Sequence, residues 1–382
     1  MLQIDQKKIG KREDKVTLKR IAFAGGGTAG HLYPAIALAQ EFQSRFLRCH
    51  IQFWGTKKGV EFHVRDQIEF KSKTIRIRGF RRQIVLSNFM IPFELIGSMF
   101  YIFFSFLLNR PDLVVGTGGY VSGPVVFTAC FLGVKTAIHE QNSYPGATTK
   151  FLSKWVKKVY LTYEVSRKYF KDQSKLQVLG NPVRAMRTNI ERKDAQKEFG
   201  LQYEKKTLFV FGGSQGGLGI NKMMLKIAPL LLSGGKNQII WSTGPTHFER
   251  IKEQLGELEG LHLSPFIDTM DVAYMASDLV LCRAGATTIA ELTYLGIPAI
   301  LIPFPFSASG HQVFNAREVE SRGAAKCFLE DEISYEQMCS DIKELLANDQ
   351  QLNEMKNKMQ QLSRPYAAHD IVSDLCSSIL HC

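Results

Sequence analysis

The sequence predicts an α/β protein built from two Rossmann-like domains, each a parallel sheet with crossover helices. Short apolar runs alternate with helical patterns along the whole chain, which is the signature of parallel sheets. The alternation falls into two series. Each opens on a strand that breaks into glycines before a helix, "IAFAGGGTAGH" and "LFVFGGSQGGLGIN". Each also holds a later strand ending in glycine and small polar residues, "VVGTGGYVSGP" and "VLCRAGATTIAE". The 382 residues suit two or three domains of about 100–200 residues.

In chain order, the first series places buried strands at 20–25, 49–55, 112–118, 135–140, 158–163 and 176–182. The polar stretch "ERKDAQKEFGLQYEKK" reads as a helical connector. The second series places strands at 207–213, 238–244, 261–267, 278–285, 298–304 and 324–330. The expected divisions are a lead-in over 1–18, a first domain over 19–184, a second over 185–364, and a last helix over 365–382. Whether that helix returns to the first domain the sequence leaves open. Ligands of such sheets sit at the carboxyl ends of strands, so two facing sheets would make a cleft.

Hydrophobic residues make up 45% and charged residues 22% of the chain, ordinary for a globular protein. The formal charge of +12 is uneven: residues 1–190 hold 30 Lys and Arg against 12 Asp and Glu, and residues 191–382 hold 18 against 24. A basic first half suits an anionic partner: nucleic acid, an anionic membrane surface or a phosphorylated substrate. The seven cysteines form no C-x-x-C, which argues against a disulfide framework or a zinc site and fits a reducing compartment. Residues 1–18 show no apolar core of a secretory signal and read as disordered.

From Leu95 to Asn109 no residue is charged, a run shorter than the roughly 20 residues that cross a bilayer. It reads first as a buried amphipathic helix before the strand "DLVVG", and otherwise as a helix lying on a membrane. Its neighbours support the second reading. "KSKTIRIRGFRR" supplies Lys71, Lys73, Arg76, Arg78, Arg81 and Arg82. "TTKFLSKWVKK" sets Lys150, Lys154, Lys157 and Lys158, on roughly one helical face, around Trp155. Cations for head groups beside apolar side chains are what an interfacial contact requires. The expectation is a peripheral protein with no spanning segment.

Gly25, Gly27 and Gly30 match the spacing of a dinucleotide fingerprint, but an NAD site also needs a carboxylate near the tip of the second strand. That tip is Gly55-Thr56-Lys57, which disfavours a dehydrogenase. A glycine turn before a helix still offers bare amides and a dipole end to an anion or sugar diphosphate; a plain tight turn is the alternative. "FGGSQGG" repeats the logic with Ser214 and lacks the Gly-Lys-Ser/Thr of an ATP-binding loop. In "CRAGATTIAELTYLGIPAILIPF", Thr287 and Thr288 open a helix suited to clamping a diphosphate. Glu291, one turn on, would accept two hydrogen bonds from a ribose diol or close a capping box with Thr288.

The motifs "GGGTAGH", "GTGGYVSGP", "HEQNSYPG", "GNPVR", "FGGSQGG", "FIDTM" and "CRAGATTIAEL" follow one another over residues 18–375. In that order they resemble the MurG family of undecaprenyldiphospho-muramoylpentapeptide β-N-acetylglucosaminyltransferases. The resemblance implies a GT-B fold and an inverting transfer of N-acetylglucosamine from UDP-GlcNAc to the muramoyl 4-hydroxyl of lipid I. The product would be lipid II for peptidoglycan, made by a peripheral enzyme at the cytoplasmic face of the inner membrane. The first domain would face the membrane and acceptor, and the second would hold the donor.

Carried over by position, the resemblance implies donor contacts at Thr28, Ala29 and Gly30 in the first loop and at Asn142 and Arg184 by the cleft and hinge. Ser214 would meet the diphosphate, and the Ile267 backbone would read the uracil edge. Ala286, Thr287, Thr288, Ile289, Ala290 and Glu291 would bind phosphate and ribose, and Gln312 the sugar hydroxyls. Arg76, Arg78, Arg81, Arg82 and Trp155 would contact membrane or acceptor. Two departures stand out. Ala29 replaces a family glycine, tolerable at negative φ. "SASGHQ" replaces a charged stretch with paired glutamines, leaving Gln312 beside His311, which bears on sugar selectivity.

Inversion needs a base for the acceptor hydroxyl. His31 is the first candidate, since imidazole titrates near neutrality; otherwise it positions the acceptor diphosphate or caps the helix. Glu140 is the second, as a carboxylate in a partly buried cleft, or else a structural partner of Asn142. No D-x-D motif occurs, so neither a metal nor another cofactor is expected to be essential. Arg184 and the amides near Thr287 and Thr288 would stabilise departing UDP. Two alternatives remain: a UDP-GlcNAc 2-epimerase, which needs no lipid surface, and a non-catalytic binder of anionic lipid or nucleic acid. No RNA-binding signature favours the latter, so nucleic acid is not an expected partner.

Overall fold

The computed structural model describes residues 19–57, 70–78, 90–213 and 216–382; the expected lead-in, residues 1–18, lies outside them. Seven parallel strands form the first sheet in the order β3-β2-β1-β4-β5-β6-β7. They are β1 (Lys19–Gly25), β2 (Cys49–Gly55), β3 (Lys71–Thr74), β4 (Leu113–Gly118), β5 (Lys135–Glu140), β6 (Lys158–Leu161) and β7 (Leu176–Val178). The second sheet is also parallel, in the order β10-β9-β8-β11-β12-β13. Its strands are β8 (Lys206–Phe211), β9 (Asn237–Ser242), β10 (Leu261–Ser264), β11 (Leu279–Cys282), β12 (Ala299–Leu301) and β13 (Ala325–Cys327).

Helices cover both faces of each sheet, so central strands are apolar without alternation. Every residue of β4 is buried, as is every residue of β11. In each sheet the strand order reverses beside the first strand, at β1/β4 and at β8/β11. A crevice opens at the carboxyl ends of strands at such a point, and it is there that the glycine loops lie.

Three sequence expectations are corrected. The polar stretch "KSKT", read only as a basic approach to a membrane, pairs with β2 from Gln52↔Lys71 to Gly55↔Thr74. It is the sheet's edge, where lysines guard against further pairing. The helix at Ala147–Leu152 is only 6 residues long, so the common face from Lys150 to Lys158 does not form. Lys158 instead opens β6 and pairs with Asp374 at 3.3 Å.

The helix Ile91–Leu108, read first as buried, is turned inside out. Its buried residues are Ser98, Ile102, Ser105 and Phe106, while Phe93, Ile96, Phe100, Phe104 and Leu107 are exposed. The serines face inward because they find partners there: Ser98 Oγ donates to Arg76 O at 2.9 Å, and Lys73 Nζ donates to Ser105 Oγ at 2.6 Å. The Phe106 ring packs edge-on against Trp54, docking the helix on the first sheet. At 18 residues and a mean hydropathy of 1.8, it is long and apolar enough to cross a membrane by length and composition alone.

The last helix, Ala367–Leu375, packs with the turn Cys376–Leu380 into the core of the first sheet through Ile371, Val372, Leu375 and Ile379. Arg45 donates to Ser373 Oγ at 2.8 Å, and the Tyr160 hydroxyl donates to Asp374 at 2.7 Å. The chain therefore ends beside the sheet it began in.

Candidate active site

β1 ends at Gly25, and the helix Ala29–Arg45 starts four residues later with Thr28 as an extended N-cap. Gly25 has no room for a side chain: a Cβ there would lie 1.9 Å from Thr117 Oγ1, which donates to His31 O at 2.7 Å. Ala29 is helical, and among the described residues the non-glycine positions with positive φ are Ser309 and His381. Its methyl group therefore costs the loop no backbone strain.

His31 is held by β4 and β5. Its Nδ1 lies 3.1 Å from Thr117 O and 3.2 Å from Gln141 Oε1. Both are acceptors, so Nδ1 carries the proton and Nε2 keeps its lone pair. Gln141 is fixed in turn: its Nε2 donates to Thr117 O at 2.8 Å and faces His139 Nδ1 at 3.0 Å. His139 Nε2 then meets Gly180 O at 2.9 Å. The bonds run in one direction, from His31 through Gln141 and His139 to the Gly180 carbonyl. Burial lowers the His31 pKa, against the opposing charge of Glu140. The His139 pKa falls to about 4, also through burial. Both imidazoles are thus neutral at pH 7. Gly118, at φ +103°, lets the backbone pass the ring, since a Cβ there would lie 2.6 Å from His31 Nδ1.

The opposite wall is the helix Ala286–Leu295, with Gly285 as an extended N-cap and no side chain capping it. The first amides of a helix have no acceptor within it, and neither this helix nor Ala29–Arg45 has an acidic residue in its first turn. The two N-termini meet: Thr287 Oγ1 donates to Gly30 O at 3.3 Å. Two positive dipole ends converging without a carboxylate suit an anion.

Glu291 is 5% exposed. Its Oε1 accepts from Arg184 Nε at 3.0 Å and its Oε2 from the Tyr274 hydroxyl at 3.0 Å, so it does not form the capping box with Thr288. Burial raises its pKa, and the Arg184 charge pulls the other way. The Arg184 guanidinium also stacks 5.0 Å over the Tyr33 ring of the helix Ala29–Arg45.

Glu140 is committed to its own loop. Oε1 accepts from Asn142 N at 3.1 Å and Asn142 Nδ2 at 3.0 Å, and Oε2 from Gly146 N at 3.0 Å. Asn142 is bound across the cleft by Asn315, whose Nδ2 donates to Asn142 Oδ1 at 3.1 Å. Asn315 Oδ1 accepts from Ser143 N at 2.9 Å and Ser143 Oγ at 3.0 Å. On the same helix, Gln312 Oε1 accepts from Phe304 N at 2.8 Å, holding that loop with its carbonyl end. His311 Nδ1 meets Ala308 O at 2.6 Å.

Models of two family domains match the chain: the glycosyltransferase family 28 N-terminal domain over residues 21–161 and the family 28 C-terminal domain over 207–371. A relative from Finegoldia magna is 39% identical over 358 residues, 93% of this chain and 97% of its own length. One from Bacillus subtilis is 37% identical over 359 residues, 93% and 98% of the two lengths. Both are UDP-N-acetylglucosamine–N-acetylmuramyl-(pentapeptide) pyrophosphoryl-undecaprenol N-acetylglucosamine transferases. The chain belongs to the MurG family of glycosyltransferases. The crystal structure of Acinetobacter baumannii MurG superposes with a TM-score of 0.72 at 27% identity, covering 95% of this chain and all of the other. A Neisseria meningitidis UDP-GlcNAc 2-epimerase superposes at 0.67 with 15% identity, over 94% of this chain and all of the other, and shares the fold alone.

Within this MurG-family cleft the structure gathers Thr28, Ala29, Gly30, His31, Glu140, Asn142, Arg184, Thr287, Thr288 and Glu291 around the two helix N-termini. Ile289 belongs to the core of the second sheet. The Ile267 side chain is in that core too, which leaves its backbone as the part able to meet a ligand. Ser214 lies outside the described residues, as do Arg81 and Arg82. Arg76 and Trp155 are exposed, and Arg78 holds Glu94 through its Nε at 3.0 Å. Sequence reasoning missed Thr117, His139, Gln141, Tyr274 and Asn315. His139 and Gln141 had a legible signal: they stand two apart at the end of β5, so they share a face. Among the described residues no group of three His, Cys, Asp or Glu gathers as a metal site would.

Proposed function

We propose that this chain transfers N-acetylglucosamine from UDP-GlcNAc to the muramoyl 4-hydroxyl of lipid I, with inversion, making lipid II for peptidoglycan. The observation that carries the reading is the directed chain of hydrogen bonds behind His31, which supplies a neutral imidazole with its Nε2 lone pair available. In the transfer, His31 Nε2 takes the acceptor's hydroxyl proton as that oxygen bonds the anomeric carbon. The bond from that carbon to the UDP oxygen breaks on the opposite side. The charge left on UDP falls to the amides at Ala29–Gly30 and Ala286–Thr288 and to Arg184. A carboxylate has about four lone-pair sites, and Arg184 and Tyr274 take two on Glu291, so it can still receive the ribose diol. Glu140, with both oxygens held by N–H donors, serves as a positioning residue for Asn142.

The exposed aromatic face of Ile91–Leu108, with Trp155, Phe131 and Phe151 also exposed and Arg76 beside it, supports contact with an anionic membrane. Its polar side is spent on the protein. We place the enzyme peripherally at the cytoplasmic face of the inner membrane, where a lipid-linked acceptor would lie.

The test is UDP release from UDP-GlcNAc with and without a lipid I analogue. Release should depend on acceptor and fall by about two orders of magnitude or more in Glu291→Ala, which removes a charged hydrogen-bond partner from a buried site. Release or epimerised donor without acceptor would favour an epimerase and sink this reading.

A further inference from the structure

A pocket of about 330 Å³ opens at the amino ends of β1 and β2, the end of the first sheet opposite the cleft. Phe106 and Asn109 line one side, where the helix Ile91–Leu108 stops. Arg20, His50, Lys71 and Lys73 stand around it. The register puts all four on one face: Arg20 pairs with His50 and Ala22 with Gln52, while Lys71 pairs with Gln52 and Lys73 with Trp54. Alternate residues of a strand share a face and neighbouring strands lie about 4.8 Å apart, so β1 to β3 span roughly 10 Å. Among the described residues no carboxylate lines the pocket. Asp112 accepts from the Arg20 backbone N–H at 2.8 Å and is not part of the lining.

Like charges side by side across strands repel, so the set needs a reason. Edge lysines guard against further pairing, and the negative end of a helix suits a cation. Lys73 answers to both, donating to Ser105 Oγ at 2.6 Å and lying 5.4 Å from the Trp54 ring. Neither reason covers Arg20 and His50, which lie on the interior strands β1 and β2. The side chains of Arg20, His50, Lys71 and Gln52 have no hydrogen-bond or ion-pair partner among the described residues. Several unspent N–H donors converging with positive charge suit an anion with many oxygens. Phe106 is buried, so no ring is offered to a nucleobase. We propose that this pocket is a second anion site, which binds a phosphate group through Arg20, Lys71 and the His50 and Gln52 N–H groups. A phospholipid headgroup and a free phosphate share that chemistry. Leu107 and Leu108, between the lining residues Phe106 and Asn109, are exposed and would meet the chains of a lipid. The site stands apart from the transfer reaction, because it lies at the other end of the strands and its test reads binding.

The first arm titrates inorganic phosphate into the full chain labelled with nitrogen-15 histidine, at constant ionic strength and with excess UDP present to occupy the cleft. The His50 ring resonances should move saturably, with a dissociation constant on the order of 1 mM, and should not respond to chloride. Arg20→Gln with Lys71→Gln, two exposed changes outside the core, should weaken the response about tenfold or more; thermal unfolding checks that the variant is folded. The second arm floats the same two proteins with vesicles of phosphatidylcholine, with and without phosphatidylglycerol. Flotation that needs phosphatidylglycerol, falls in the variant and is competed by inorganic phosphate identifies a lipid headgroup as the source. A saturable His50 response with equal flotation of parent and variant identifies a free phosphate. His50 resonances that do not saturate, together with equal flotation, would overturn the site, and so would a response of the same strength in the variant.

Discussion

Replacing Gln141 by Met removes the amide but keeps the length of the side chain, and it tests how His31 is prepared. Gln141 is 2% exposed. Its loss leaves His31 Nδ1 with Thr117 O alone at 3.1 Å and deprives His139 Nδ1 of its donor at 3.0 Å. The orphaned His139 nitrogen should cost about 2 kcal/mol of stability. The looser imidazole loses one of two bonds that fix its tautomer. At about 1.5 kcal/mol for that bond, kcat should fall roughly tenfold. This is less than the 10²–10⁴ expected of His31→Ala under the proposal that His31 is the base. The acid limb of kcat/KM distinguishes this from mere loosening. The Gln141 hydrogen bond raises the His31 pKa against burial, so its removal should move the limb to lower pH. The assay is UDP release with a lipid I analogue across pH, with thermal unfolding as the control for folding. An unchanged limb with unchanged kcat, or a limb moving to higher pH, would refute the argument.

His139 stays neutral when folded, with a pKa of about 4 against about 6.5 unfolded. The unfolded chain therefore binds the extra proton, and stability is full above about pH 6.5 and lost as pH falls toward 4. The stability difference between the parent and His139→Gln, by urea unfolding at the two pH values, should change by about 3 kcal/mol; no change would refute a neutral buried imidazole. Arg184→Met leaves the Glu291 carboxylate buried without its cation, and should cost about 3 kcal/mol at neutral pH. Because that carboxyl's folded pKa is raised, the loss should shrink as pH falls and the group protonates; a loss constant with pH would contradict this. Phe100→Ser with Phe104→Ser should reduce partition into anionic vesicles by roughly two orders of magnitude, from about 1.5–2 kcal/mol for each ring. Flotation assays check it, and unaltered partition would retire the membrane face.

The architecture was legible because buried parallel strands are apolar along their whole length: twelve runs read from the sequence meet twelve strands. β3 escaped because an edge strand of Lys, Ser, Lys and Thr carries no such signal. The helix Ile91–Leu108 misled for a different reason. Its composition is that of a core, and only the partners of Ser98 and Ser105 reveal which side faces inward. The glycine turns and helix starts were readable because their backbone requirements are local. Glu291 was singled out, but Tyr274 beside it was not, since 17 residues separate a pair that folding brings to 3.0 Å. Likewise, nothing local joins Asn315 to Asn142.

The central claim is a single displacement in which one neutral imidazole, His31, takes the acceptor proton. Proton NMR of the first-formed disaccharide tests it most directly through the coupling at the new anomeric centre. The account predicts the β anomer from the α-linked donor, formed at a rate that falls by two orders of magnitude or more in His31→Ala. An α-linked product, or a β-linked product made as fast without His31, would contradict it.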